Sequence, residues 1–204
     1  GENLRLGLAV RFYPPDFPSS FSAGMRASSK CENEAGVSAA LSWGRLPRQG
    51  RRLERGQKLL NGGLSLDAAL FPEPPFRYDE PVFQLKPQCS CALHLPRGFS
   101  IDARFGGRLR RTICEHPENE MKLSLRLSPS WQSASGRWKL DTRLEALSFR
   151  SAALMAYAGM ALDMGKFRMS YRYAVFMVDE WDDRIYAYEH DSTGTFPVPS
   201  FYGR

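Results

Sequence analysis

The sequence predicts an all-β chain: an antiparallel, up-and-down β-barrel of the transmembrane type, incomplete as it stands, with about ten to twelve strands. Three observations predict it. Large apolar residues recur at every second position through most of the 204 residues, which is the period of a strand and not of a helix. The alternating segments are about nine to twelve residues long, enough for a tilted strand to cross a bilayer, whereas strands of soluble proteins average about five to six. The face opposite the large apolar residues mixes Ser, Gly and Ala with Arg, Lys, Asp and Glu, which suits a water-filled or charge-laced lumen.

In the first segment Leu4, Leu6, Leu8, Val10 and Phe12 oppose Arg5, Gly7, Ala9 and Arg11, and Pro14-Pro15-Asp16 forces a turn. In the second, Phe21, Ala23, Met25 and Ala27 oppose Ser20, Ser22, Gly24 and Arg26, and the polar residues 30–34 form a turn. Val37, Ala39, Leu41 and Trp43 then oppose Ser38, Ala40, Ser42 and Gly44. Residues 45–57 are basic and rich in Gly, Arg and Pro, the composition of a long exposed loop. Leu64, Leu66, Ala68 and Leu70 oppose Ser65, Asp67 and Ala69, with Pro72, Pro74 and Pro75 ending the segment. Residues 82–95 are a further strand in which Pro87 implies an edge, a bulge or a break.

Phe99, Ile101, Ala103 and Phe105 oppose Ser100, Asp102 and Arg104, and Gly106-Gly107 marks a bulge or bend before the strand continues to Ile113. After a turn at residues 116–119, Met121, Leu123, Leu125 and Leu127 oppose Lys122, Ser124, Arg126 and Ser128. Trp138, Leu140, Thr142, Leu144 and Ala146 oppose Lys139, Asp141, Arg143 and Glu145, a polar row whose charges alternate in sign and can pair. Residues 152–162 are small and apolar on both faces. Their composition admits a helix, but Met155, Tyr157 and Gly159 keep the two-residue beat. Phe167, Met169, Tyr171, Tyr173, Val175 and Met177 then oppose Arg168, Ser170, Arg172 and Ala174.

The polar rows place Arg104, Arg126, Lys139, Asp141, Arg143, Glu145, Arg168 and Arg172 toward a lumen. An arginine facing lipid at mid-bilayer costs roughly 2–4 kcal/mol, and these segments keep their arginines opposite the large apolar residues. Aromatic residues near segment ends suit interfacial girdles: Phe12, Tyr13, Trp43, Phe71, Trp131, Trp138, Trp181, Tyr186 and Tyr188. The bland alternative is that aromatic residues favour strands anyway.

Hydrophobic residues make up 43% and charged residues 25% of the chain, a globular balance that excludes a disordered or fibrous class. No apolar run approaches the roughly 18 residues of a transmembrane helix. The net charge of +6 is spread along the chain with doublets only at Arg51-Arg52 and Arg110-Arg111, so the sequence predicts no nucleic-acid partner. Residues 1–204 form a single barrel domain or a fragment of one. The start at Gly1 without Met or a signal peptide suggests a piece of a longer chain.

The disulfide state of Cys31, Cys89, Cys91 and Cys114 stays open. Cys89 and Cys91 share a strand face, a poor geometry for a mutual bond. No second ligand pair completes a zinc site with them and His94. The acidic group Asp179, Glu180, Asp182, Asp183, Glu189 and Asp191 supplies the oxygen ligands that calcium takes, with Asp179, Asp182 and Asp183 the metal candidates. The alternative is a salt-bridged loop in which Arg184 and His190 pair with these acids. No nucleophile elbow, zinc histidine pair or phosphate loop is present, and His94, His116 and His190 are scattered. The expectation is a non-enzyme with no cofactor.

One stretch adds a resemblance. Asp179, Trp181, Asp182, Arg184, Ile185, Tyr186, Ala187, Tyr188 and Glu189, followed by Pro199, Phe201, Tyr202 and Gly203, resemble the C-terminal part of a family of Bacteroidota outer-membrane β-barrels. Its members are often named for helix-hairpin-helix segments that precede the barrel. The likeness covers about the last forty residues, and no helix-hairpin-helix segment is present in this chain. It implies an outer-membrane location, a lipid bilayer as partner and a structural or transport-related role, but no chemistry. It also implies further strands after residue 204, and hence a missing barrel segment or partner chain. The competing expectation is a soluble β-rich binding module, a sandwich or a closed barrel whose apolar faces form a core.

Overall fold

A computed structural model describes residues 4–13, 34–44, 59–72, 80–186 and 200–203. The expected strand at residues 21–27, the expected loop at 45–57 and the girdle candidate Tyr188 lie outside the described residues, as do Cys31, Glu189, His190 and Asp191. The described elements are β1 (Arg5–Tyr13), β2 (Glu34–Gly44), β3 (Leu59–Phe71), β4 (Val82–His94), β5 (Phe99–Thr112), β6 (Asn119–Gln132), β7 (Trp138–Ser148), β8 (Ala152–Asp163), β9 (Arg168–Met177), β10 (Ile185–Tyr186) and β11 (Ser200–Phe201). Single 3-10 turns span Pro96–Gly98 and Trp181–Asp183.

Strands β1 to β9 form one nine-stranded antiparallel meander in sequence order, and β10 pairs with β11. The sheet is not closed into a barrel: among the described residues β1 pairs only with β2, and β9 has a sheet neighbour only in β8. The all-β expectation and the meander are therefore observed, and closure is not.

Each strand follows its two-residue beat. In β1, Leu8 and Val10 are 75% and 82% exposed, so the apolar row faces outward and not into a core. Residues 152–162 resolve as strand β8, paired with β7 from Trp138↔Leu162 to Ser148↔Ala152. Their small side chains fit a sheet flanked on both sides, and no helix forms there.

Two prolines lie inside strands. Pro87 sits inside β4, which lies between β3 and β5 and so is neither an edge strand nor broken. Strand β6 continues through Pro129 to Gln132, beyond the expected end at Ser128. Its ladder with β7 resumes at Ser130↔Asp141 in the register that Leu127↔Leu144 set, and the Thr142 hydroxyl donates to the Pro129 carbonyl at 3.0 Å. A proline deletes one N–H, and the ladder is interrupted at Ser128 and Pro129 while its register survives. Gly106-Gly107 sits inside β5, which runs on to Thr112.

The chain divides into two compact units. The first comprises Gly1–Trp43, Gly62–Cys89 and Gly106–Lys122, and the second Gly44–Asn61, Ser90–Phe105 and Leu123–Arg204. Each has a small buried cluster in place of a large core. In the first it is Ala69, Phe71 and Val82. Phe71 is therefore buried on the face of Asp67 and Ala69 and is not a girdle residue, because the end of β3 packs on the start of β4. In the second unit Leu147, Ala153, Met155, Val178 and Ile185 are buried together, with Phe149, Tyr157, Phe176 and Phe201 packed against them. This places the segment after β9 on the polar face of β7, β8 and β9.

Candidate functional site

The polar face of the sheet holds the chemistry, and in each unit it is built from ion pairs that cross strands. In the first unit Arg11 of β1 donates from Nε to Glu34 Oε1 at 2.6 Å and from Nη2 to Asp67 Oδ1 at 2.5 Å. The first acid is on β2 and the second on β3. Glu34, which the sequence places in a turn, opens β2 and is fully buried. Its register partner Tyr13 and the Arg11↔Gly36 pair hold the acid beside the guanidinium. Gly36 is what gives Arg11 its path. A Cβ at this position would lie 2.8 Å from Arg11 Nη2 and 3.1 Å from the Ala68 carbonyl oxygen. Farther along the same face the buried Gln84 accepts from Arg110 Nε. Lys86 lies within electrostatic reach of Arg108, Arg110, Asp67 and Glu34.

The second unit repeats the arrangement in reverse chain order. Arg172 of β9 reaches across β8 to Asp141 of β7, at 3.7 Å, and its guanidinium carbon lies 4.4 Å from the centre of the Tyr157 ring. Gly159 stands between them in register, opposite Asp141 on one side and Arg172 on the other. A Cβ there would lie 3.0 Å from both Asp141 carboxylate oxygens. Beside this pair Glu145 gathers two arginines. Arg126 donates to it twice, at 3.2 and 3.1 Å, and Arg143 donates from Nη2. Arg143 Nη2 also reaches the Tyr186 carbonyl at 3.0 Å, while its buried Nε has no hydrogen-bond partner among the described residues.

Of the eight residues assigned to a lumen, five join these networks: Arg126, Asp141, Arg143, Glu145 and Arg172. Lys139 and Arg104 are exposed on the polar beat of β7 and β5, and Arg168 is exposed at the start of β9 opposite Asp163. The expectation that neighbours within the β7 row pair with each other holds for Arg143 and Glu145. Asp141 takes its partner from β9. Sequence reading did not single out Arg11, Glu34, Asp67, Gly36 or Gly159 as a set. Their only local signal is their position on the polar beat, and the pairing is decided by which strands are neighbours.

The three metal candidates are not assembled into a site. Asp183 is fully buried and accepts from Arg150 N at 3.3 Å, Ser151 N at 2.7 Å and Ser151 Oγ at 3.0 Å. It fastens the Trp181–Asp183 turn to the β7–β8 turn. Asp179 is exposed and Asp182 half-buried. Among the described residues no group of three or more His, Cys, Asp or Glu side chains is placed to hold a metal ion. Cys89, Cys91 and Cys114 are free thiols, and Cys114 Sγ donates to the His116 carbonyl at 3.1 Å.

At the strand ends the aromatic residues group with arginine. Arg184 lies 4.6 Å from the centre of the Trp181 ring, which meets Tyr202 edge-on at 5.4 Å. Trp131 Nε1 donates to the Arg97 carbonyl at 3.1 Å and its ring lies 6.1 Å from Phe99. Phe12, Trp138, Trp181 and Tyr186 are exposed, and Tyr13, Trp43 and Trp131 half-buried. Comparison with protein-family models, with curated proteins and with solved structures finds no match.

Proposed function

We propose that this chain is part of an outer-membrane β-barrel with a structural or transport-related role, holding lipid against one face of its sheet and water against the other. The observation that carries the reading is the division between the two faces. Leu6, Leu64, Phe105, Leu125, Leu144 and Val175, from strands across the sheet, stand exposed on the apolar face, and the ion pairs lie on the other. Water is a poor solvent for such a face. Monomeric soluble proteins rarely expose apolar patches beyond a few hundred Å², whereas hydrocarbon tails cover it at no cost. Strands of 9 to 14 residues also have the reach to span the apolar layer. On this face Leu125, Leu144, Leu154 and Met177 flank a groove of about 510 Å³ floored by Ala146 and Ala156. The resemblance of Asp179–Tyr186 and of Ser200–Gly203 with their flanks to outer-membrane barrels supports the same location.

The paired charges suit a lumen because Arg11, Arg126, Arg143 and Arg172 each meet a carboxylate on their own strand or on one at most two strands away, with Arg126 and Arg143 sharing Glu145. Among the described residues no feature of the face selects a particular solute. The test is partition. Expressed with an export signal in a bacterium with an outer membrane, the chain is expected in the membrane pellet, resistant to carbonate and released by detergent. Recovery as a soluble monomer would overturn the reading and favour the soluble β-rich binding module.

A further inference from the structure

One donor in the second unit is left over. Arg143 is only 6% exposed, and a guanidinium carries five N–H donors and no acceptor. Its Nη2 donates to Glu145 Oε2 and to the Tyr186 carbonyl, while the buried Nε has no hydrogen-bond partner among the described residues. A buried donor without an acceptor is costly, and folded proteins leave few of them.

The charges around this donor do not balance either. Arg126 engages both carboxylate oxygens of Glu145, at 3.2 and 3.1 Å, and Arg143 must share the same acid. The other acid of the β7 row, Asp141, is met by Arg172 from β9 at 3.7 Å. In this group three arginines therefore share two carboxylates, which leaves one positive charge beside the unpartnered Nε. The strands on either side bring no further acid to Arg143. On β8 its register partner is Tyr157. On β6 the register held by Leu127↔Leu144 and Ser130↔Asp141 brings Ser128 opposite it. Ser128 lies on the polar beat, is half-buried, and its hydroxyl makes no hydrogen bond among the described residues.

We propose that Arg143 Nε, Ser128 and Arg126 form a buried site for a small monovalent anion of the chloride kind. A halide accepts hydrogen bonds and donates none, so it matches a place that offers an N–H from Arg143 and an O–H from Ser128. One negative charge cancels the one positive charge in excess, which a water molecule does not do. A cation is repelled by the same arginines. The site also sets a size limit. The Tyr186 carbonyl of β10 is bonded to the Arg143 guanidinium at 3.0 Å and caps it, whereas the small side chain of Ser128 leaves room opposite. Arg126, partly exposed, gives the ion its way in from water. An anion held there ties β6 to β7 beneath β10, so it stabilises the folded chain in proportion to its occupancy. The inference does not rest on the membrane reading, because the polar face meets water in a lumen and on a soluble module alike.

The probe is chloride itself. The full chain is folded in detergent micelles, and sodium chloride replaces sodium gluconate at constant ionic strength, so that general screening stays fixed. The readout is the Nε–H resonance of Arg143, identified through its link to the residue's own backbone amide, with the β7 amides reporting that the sheet is folded. The Arg143 resonance is expected to shift saturably with chloride. Those of Arg11 and Arg126, whose Nε groups are bonded to Glu34 and Glu145, are expected to stay in place. Arg126→Gln removes the excess charge and should weaken the apparent affinity by about tenfold or more, and Ser128→Ala by on the order of tenfold. An Arg143 resonance that ignores chloride while the β7 amides are protected would mean that water or the chain itself satisfies Nε, and the site would be lost. Parallel shifts at all the arginines would reduce the effect to bulk salt and overturn it equally. So would an affinity left unchanged by Arg126→Gln, since the charge in excess would then not be what recruits the ion.

Discussion

The two units of the sheet use one device with different stakes. In both, an arginine on one strand passes over a glycine on the next to reach an aspartate on the third: Arg11, Gly36 and Asp67 in the first, Arg172, Gly159 and Asp141 in the second. The first arginine is held by two acids at 2.6 and 2.5 Å, one of them the fully buried Glu34. The second meets one acid at 3.7 Å and a tyrosine ring. The difference teaches that geometry alone does not set the energy of such a pair; the burial of the anion does. A buried carboxylate stripped of its cation has no water to turn to, whereas a carboxylate at the 27% exposure of Asp141 does. Arg11→Met is therefore expected to destabilise the fold by about 3–5 kcal/mol, and Arg172→Met by about 1 kcal/mol or less. Denaturant unfolding in detergent measures both, and similar costs for the two would break the comparison.

The outward faces invite the opposite expectation, that the two units behave alike. Leu8 and Leu144 sit near the middle of β1 and β7, and both are exposed. In lipid vesicles Leu8→Arg and Leu144→Arg should each cost roughly 2–4 kcal/mol, as arginine does near the bilayer midplane. On a water-facing surface the same changes stay within about 0.5 kcal/mol. Equal and small effects at both sites would sink the membrane reading without touching the ion-pair comparison.

The second unit has one fastening that the first does not show among the described residues, the Asp183 clamp. Asp183→Asn keeps the shape but removes the charge and one acceptor from the turn at Arg150 and Ser151. A loss of about 1–3 kcal/mol is expected. It should be local, with faster exchange at Ser151 N and at Ile185 while the β1–β2 amides are unchanged. A uniform loss of protection through both units would show that the clamp holds more than its own turn.

Much of this fold is legible along the chain. The period-two beat of Leu4 to Phe12 and of Phe167 to Met177 places strands β1 and β9 within a residue or two, and the segregation of arginine from the large apolar residues predicts both faces. Segment ends are harder. Strand β6 runs on through Pro129 because the flanking pairs Leu127↔Leu144 and Ser130↔Asp141 keep one register. Glu34 looks like a turn residue because nothing local reveals that Arg11, on another strand, will neutralise it. The candidate site is less legible still. The polar row of β7 is visible in sequence, but the partner of Asp141 is chosen by the neighbourhood of β7, β8 and β9. The acids near Trp181 admit a metal or a salt-bridged loop in sequence, and only the fold shows the β7–β8 turn occupying Asp183.

The smallest expected effect is the sharpest test of the shared device. Alanine at Gly36 brings a methyl within 2.8 Å of Arg11 Nη2 and 3.1 Å of a backbone carbonyl oxygen. Neither neighbour yields readily: the guanidinium is fixed by two acids and the carbonyl belongs to β3. Overpacking of this kind costs about 1–3 kcal/mol. Alanine at Gly159 meets only the Asp141 carboxylate, at 3.0 Å. That carboxylate is the end of a rotatable side chain whose hold on Arg172 is already long, so it can swing aside. Replacing a strand-interior glycine also removes unfolded-chain freedom, which favours alanine by roughly 0.5–1 kcal/mol. The two terms nearly cancel at position 159 and do not at position 36. Gly159→Ala is therefore expected within about 0.5 kcal/mol of the parent, and Gly36→Ala clearly below it. Arg11→Met in the Gly36→Ala background supplies the check. Once the guanidinium is gone the methyl has room on that side, so the double variant should cost less than the two single changes added together. Strict additivity would mean that the glycine is not there to let the arginine pass.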